Sequence, residues 1–333
     1  MHYFLVAMVI PAIMLTGCKD DNPDPVKGNY ETLVTYMAAN NMDLPALLQG
    51  WVIAPTLVAD GGIVDADAGY TIPGYHVIDI RGEDDFKAGH IKGSHNTTLT
   101  NIVSKAAELG KDKPILVVCY SGQTAGRAVM ALRLSGFPDA KVMKFGFSYW
   151  SSESYGSGQS FDKWTPKVAN VADGNANWTM DASAPLPTNP YPAWTSSSTD
   201  GAVILAERVA AMLAAGSWGT SSTDVLANPG DFNIYNFWSE DAYKTIGHYT
   251  GAYQYSTISF ETVKALPQSE QCEIYCYTGQ TSSFATAWLQ VLGYNAKSIG
   301  YGVNSLRHDA VDAYNSSVAW HHSYDYPIET STK

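Results

Sequence analysis

Residues 115–124 read ILVVCYSGQT and residues 272–281 read CEIYCYTGQT. In each, a short strand-like run enters a cysteine, Cys119 or Cys276. A polar loop with one glycine follows: Tyr120, Ser121, Gly122, Gln123 and Thr124 in the first copy, and Tyr277, Thr278, Gly279, Gln280 and Thr281 in the second. The run after Thr124 then takes helical spacing through Ala128, Ala131 and Leu132 and stops at Gly136-Phe137-Pro138. Strand, cysteine loop and helix in this order place each cysteine at the carboxyl end of a strand, where sites of parallel sheets lie.

The likeness extends on both sides. Downstream, AVMALRLSGFPDAKVMKFGFSYW (128–150) matches TAWLQVLGYNAKSIGYGVNSL (286–306). Upstream, VIDIRGEDDFKAGHIKGSHN (77–96) aligns with IYNFWSEDAYKTIGHYTGAYQ (234–254). Three segments in one order at similar spacings describe a duplicated domain. Within the first copy, strands are expected at Val77–Ile80, Ile115–Val118 and Lys141–Lys144, with helices at Asp84–Ala88 and Thr124–Leu134. Alternating units of this size predict an α/β fold, each copy a parallel sheet flanked by helices.

The loop has a chemistry of its own. Its successive N–H groups point inward and the helix behind adds its positive end, so an anion is favoured there. A cysteine in that position is expected to have a lowered pKa and to act as a nucleophile. Gly122 and Gly279 supply the permissive backbone that such a wrap needs. Cys272 lies four residues before Cys276 on one strand, about 13 Å away at ~3.3 Å per residue. That is too far for a local disulfide, and it reads as core.

Asp79-x-Arg81, then Asp85-Phe86-x-x-Gly89-His90-Ile91-x-Gly93-Ser94, then Cys119 with Gly122 and Thr124 behind it, resembles the rhodanese family. The resemblance covers about residues 30–165 and again 200–310. It implies sulfane-sulfur transfer from a small donor such as thiosulfate or a polysulfide, through a persulfide on Cys119 or Cys276, to a thiol acceptor. It implies no metal and no organic cofactor. Family members that hydrolyse oxyanions close a longer loop with Arg, where this chain has Ala125 and Ser282. The loop itself carries no Lys or Arg, which leaves backbone amides, and Arg127 in the first turn of the helix, to favour an anionic donor. Asp79 and Arg81 read as a structural ion pair supporting the site, replaced by Asn236 and Trp238 in the second copy. His90 and His248 read as buried hydrogen-bonding residues. The alternative to an enzyme is a carrier or docking module that holds sulfur or selenium for an extracytoplasmic redox partner.

The first eighteen residues carry an apolar run, YFLVAMVIPAIML (3–15), of signal-peptide length, ending in Leu15-Thr16-Gly17-Cys18. This resembles a bacterial lipoprotein box with Cys18 lipidated. Lys19 behind it favours the outer membrane of a Gram-negative cell envelope, on its periplasmic or outer side. The expected organisation is a signal peptide (1–18), a tether (19–29), a first domain (30–164), a Pro/Ser/Thr-rich linker (165–200), a second domain (201–320) and a tail (321–333). The 333 residues suit two compact units, and 45% hydrophobic residues fill ordinary cores. A net charge of −12 excludes a nucleic-acid partner, because nothing neutralises a phosphate backbone.

Overall fold

The structure, a computed structural model, describes residues 28–331. The signal segment with Cys18, residues 19–27 of the tether and the last two residues of the tail lie outside the described residues. The first half runs α1 (Asn29–Ala39), β1 (Val52–Ile53), β2 (His76–Asp79), α2 (Glu83–Ala88), β3 (His95–Asn96), α3 (Ile102–Leu109), β4 (Ile115–Val118), α4 (Gln123–Leu134) and β5 (Lys141–Met143). The second runs α5 (Gly201–Ala214), β6 (Gly219–Thr220), β7 (Asn233–Asn236), α6 (Glu240–Ile246), β8 (Tyr253–Gln254), β9 (Cys272–Tyr275), α7 (Gln280–Leu292) and β10 (Ala296–Ile299).

Each half holds a five-stranded sheet, in the order β1-β5-β4-β2-β3 and β6-β10-β9-β7-β8. Every pairing within them is parallel. Both are therefore α/β sheets of one topology. The register repeats too: Asp79 sits opposite Val118, one residue before Cys119, and Asn236 sits opposite Tyr275, one residue before Cys276. The repeat also reaches further upstream than the sequence alignment. Trp51 O accepts from Val142 N at 2.8 Å just as Trp218 O accepts from Ser298 N at 2.9 Å. With only two-residue strands on this edge, Val52–Ile53 and Gly219–Thr220, no periodicity could mark them.

The two halves share a core. Every residue of α4 except Thr124 is buried, because one face covers its own sheet and the other meets α7. Trp51 of the first half packs, with its ring tilted, against Phe284 of α7 with ring centroids 4.8 Å apart, and Trp288 Nε1 donates to Met42 O at 3.0 Å. Val129, Leu132, Val209, Phe284 and Leu289 belong to one continuous apolar cluster.

Each half also lends the other its C-terminal extension. After Trp164 the chain crosses to the second half, where Ala172 N donates to Leu306 O at 3.0 Å and Trp178–Thr179 pairs antiparallel with His248–Tyr249. After Trp320 it returns to the first, where Tyr326 N donates to Trp150 O at 2.9 Å and His90 and Glu329 exchange backbone bonds at 2.9 Å. The two crossing points meet, Trp164 stacking with Trp320 at 5.9 Å.

Candidate active site

Strand β4 delivers Cys119 to the end of the sheet, and Gly122, at φ +83°, turns the chain into α4. The turn brings two amides onto the sulfur: Gly122 N–H at 3.1 Å and Ala125 N–H at 3.3 Å. In the second half Gly279, at φ +73°, makes the same turn. There Cys276 Sγ accepts from Ser282 N at 3.4 Å, and its thiol donates to Ser282 Oγ at 3.5 Å. Both cysteines are only 2% exposed.

Burial changes the expected acidity of Cys119. Loss of water pushes its thiol up from the ordinary value, and the amides of Ala125, Ser121 and Gly122 offset this only in part; the charge of Asp79 adds to the rise. The lowered pKa expected from the loop is therefore corrected, since desolvation outweighs the cradle. Cys272 is fully enclosed in the core and its thiol is likewise pushed up by burial.

A wall closes each cradle from behind. Phe145 and Gly146 both have positive φ, +57° and +65°, as do Tyr301 and Gly302, at +60° and +52°. A Cβ on Gly146 would stand 2.5 Å from Cys119 O and Gly122 N, and one on Gly302 would stand 2.2 Å from Cys276 O. Only glycine fits either place. Phe147 N then donates to Cys119 O at 2.7 Å and Val303 N to Cys276 O at 3.1 Å, tying wall to loop.

Over the first loop lies a cleft of about 830 Å³ built from both halves. Tyr120, Ser121, Gln123 and Thr124 line it from one side and Trp218, Thr220 and Tyr301 from the other. Lys163 and Lys167 stand in its rim. They supply the cationic character that the loop lacks, and they flank Trp164, where the chain starts to cross, outside the segments that align between the copies. Asp85 sits there as well, accepting from the Tyr155 hydroxyl at 2.6 Å and from Tyr120. Burial works to raise its carboxyl, but the phenols of Tyr120 and Tyr155, with the charge of Arg81, outweigh this and hold it below the usual range. Burial and Asp85 in turn push the Tyr120 phenol up to about 12. A separate, smaller cleft of about 310 Å³ lies over the second loop, lined by Thr278, Gln280, Thr281, Trp51 and Lys144.

The supporting residues fall in two places. Arg81 is buried, bonds Asp79 at 2.7 Å and Gly89 O at 2.6 Å, and lies 3.5 Å over the Phe147 ring. The ion pair thus braces the wall of the Cys119 cradle from below. In the second half Trp238 fills Arg81's place by packing on Tyr277 at 4.6 Å. Arg127, expected as a possible substrate contact, does not line the cleft. It is fully buried, and its Nη2 donates to Met212 O at 2.8 Å, near the end of α5, and to Gln290 Oε1 at 2.9 Å. Burial draws its pKa down to about 10. His90 is buried with Nδ1 2.8 Å from Phe86 O, and His248 is buried with Nε2 2.8 Å from Asp181 O.

Comparison with known proteins bears on the first half. The model of the rhodanese-like domain matches residues 65–153, which include Cys119 and its loop. The thiosulfate sulfurtransferase GlpE of Pseudoalteromonas translucida is 37% identical over 76 residues, 23% of this chain and 72% of its own length. The chain belongs to the rhodanese-like family. The uncharacterized protein YqhL of Bacillus subtilis is 32% identical over 77 residues, 23% of this chain and 61% of its own length. A crystal structure of a thiosulfate sulfurtransferase from Pseudomonas aeruginosa aligns over 92% of this chain and 50% of that one, at 15% identity and a TM-score of 0.29. Within this rhodanese-like framework, Tyr301, Trp218, Lys163, Lys167, Gly146 and Gly302 are site residues that motif reading passed over. The aromatic–glycine pairs Phe145-Gly146 and Tyr301-Gly302, aligned between the copies, were the available signal.

Proposed function

We propose that the protein is a sulfurtransferase that carries sulfane sulfur on Cys119 and delivers it to a thiol acceptor. The observation that carries this reading is the pair of amides at 3.1 and 3.3 Å from Cys119 Sγ, within a loop whose Tyr120, Ser121, Gln123 and Thr124 line a cleft rimmed by Lys163 and Lys167. The curated relatives named as thiosulfate sulfurtransferases support it. The Cys119 thiolate attacks the outer sulfur of the donor and the donor's S–S bond breaks. With thiosulfate, the electron pair leaves with sulfite and one sulfur remains as the Cys119 persulfide. An acceptor thiolate then attacks that terminal sulfur and returns the electron pair to Cys119. A persulfide is more acidic than its parent thiol, so the amides hold the loaded form as an anion while burial keeps the resting thiol protonated. Cys276 is a second site of the same kind in its own cleft. The Leu15-Thr16-Gly17-Cys18 box supports a lipid anchor on Cys18 in a bacterial envelope, with the cleft presented to an extracytoplasmic donor and acceptor.

Intact-protein mass spectrometry after incubation with thiosulfate or tetrasulfide tests the reading. One added sulfur, lost in Cys119→Ser and passed to added thiol, is the expected result. A second sulfur lost in Cys276→Ser would show both halves loading. Sulfur that loads and is not passed on would make the protein a carrier. No adduct on reduced protein from either donor would overturn the proposal. Metabolic labelling with palmitate, lost in Cys18→Ser, tests the anchor.

A further inference from the structure

The two cysteine loops stand back to back, and each reaches into the other's wall. Gln280, in the second loop, accepts through Oε1 from Phe145 N of the first wall at 3.2 Å. Gln123, in the first loop, accepts through Oε1 from Tyr301 N of the second wall at 2.8 Å. Both glutamines are buried. Space around them is exhausted: a Cβ on Gly122 would stand 2.7 Å from Gln280 Oε1, and one on Gly279 would stand 2.5 Å from Gln123 Oε1.

The arrangement is reciprocal in position but not in bonding. Gln123 Nε2 also donates to Ser121 Oγ, at 2.9 Å, so its amide spans from a hydroxyl of the Cys119 loop to the wall of the Cys276 cradle. Ser283 Oγ fixes its backbone from the second half, donating to Gln123 O at 2.7 Å. Gln280 Nε2 is buried with no hydrogen-bond partner and touches no loop hydroxyl. A line of hydrogen bonds therefore leads from the Ser121 hydroxyl of the Cys119 loop through Gln123 to Tyr301 N, next to Gly302, which is packed against Thr278 N, Gly279 N and Cys276 O.

We propose that Gln123 is a positioning residue that couples the two cradles, so that a negative charge held at Cys119 makes Cys276 more reactive. The proposal deepens the sulfur-transfer reading by assigning that site its regulation. An anion in the first cradle draws the Ser121 hydroxyl toward it as a donor. The hydroxyl oxygen, polarised by that donation, becomes a better acceptor for Gln123 Nε2. The amide so fixed holds Tyr301 N, and with it the left-handed Tyr301-Gly302 turn that shapes the amides around Cys276. Neither cleft is lined by both loops, so the line of hydrogen bonds, not a shared cavity, joins the sites.

The test reads the alkylation rate of Cys276 by iodoacetamide in the full chain, by peptide mass spectrometry, with buried Cys272 as the unlabelled reference. Two arms place the charge at Cys119. In one, tetrasulfide converts Cys119 to the persulfide anion, releasing trisulfide, and only the Cys276 peptide that has gained no sulfur is counted. In the other, Cys119→Asp is compared with its neutral isostere Cys119→Asn, which needs no sulfur transfer and separates failure of the coupling from failure of the proposed function. Cys276 is expected to react faster with the charge present, on the order of 5-fold. The ratio should fall to near one when Gln123→Ala is added, and persist with Gln280→Ala, which removes an equivalent bond across the same interface but no contact with a loop hydroxyl. Equal Cys276 rates with and without the charge in the Asp/Asn pair would overturn the proposal, as would a ratio that Gln123→Ala leaves unchanged. Should the Asp variant not fold, the tetrasulfide arm decides by the same two ratios.

Discussion

Cys119 is 2% exposed, so ionising it trades water for a protein wall, while two amides at 3.1 and 3.3 Å stand ready to receive the charge. Because burial outweighs them, the thiol ionises above the ordinary range of about 8.5. Alkylation of Cys119 is thus expected to be slow at pH 7 and to climb through alkaline pH; a titration midpoint near pH 7 would contradict this. The unfolded chain releases that proton first, so this group withdraws stability as pH rises past the ordinary thiol value. The lysines carry a second prediction. Replacing Lys163 and Lys167 together by Gln should raise KM for thiosulfate about 10-fold, leave kcat nearly unchanged and flatten the dependence on ionic strength. A KM that does not move would remove the lysines from donor capture. Cys119 and its loop were legible from the repeat alone, because a strand, a cysteine and a glycine turn are local. Lys163 and Lys167 were not, because they belong to a segment outside the repeat that folding lays across the cleft. Arg127 was misread for the complementary reason. Its helix position was right, but a second helix covers that face.

At the scale of elements, the site consists of a loop and a wall that must approach to contact distance. Gly146 decides that approach, since a methyl group there would sit 2.5 Å from Cys119 O and Gly122 N, which are backbone atoms and cannot swing aside. Gly146→Ala also forces a left-handed alanine, at φ +65°. The two costs together come to roughly 2–4 kcal/mol, to be read as a fall in urea midpoint, with loss of sulfur loading at Cys119 ahead of global unfolding. A variant that loads sulfur normally at native stability would show that the wall does not shape the cradle. The strands and helices expected from periodicity came within about a residue of the observed β2, β4, β5, α2 and α4. The expectation did not reach helices α1, α3 and α5, which lie outside the aligned segments, nor the two-residue edge strands, too short for any period to register, nor the crossing extensions, whose partners are remote in sequence. A signal for the buried helix pair was present in α4. Its residues from Ala128 to Leu132 are all apolar and leave no polar side over that stretch, as expected of a helix covered on both sides.

In the whole molecule the two halves do not behave as beads on a string. They share one apolar cluster through α4 and α7, and each extension completes the other half's surface: Trp178 against Tyr249 at 5.1 Å in one direction, Tyr326 against Trp150 at 5.0 Å in the other. The duplication told how many sheets to expect but not that they would interlock, since a repeat reports similarity and is silent on contact. The covalent link between them runs through Pro185-Leu186-Pro187, where Leu186 is exposed. Cutting the chain there leaves a first fragment that carries the strand seated on the second half, and a second fragment that carries the strap seated on the first. A protease site placed at Leu186 and cleaved in the folded protein should therefore yield fragments that co-elute in size exclusion and load sulfur as the intact chain does. Each fragment expressed alone exposes the apolar face of α4 or α7 together with an unpaired segment, and is expected to aggregate, with solubility recovered on co-expression. Fragments that part under native conditions and stay folded would show instead that the shared core adds little to either half, and the site between them would have to assemble only when donor is bound.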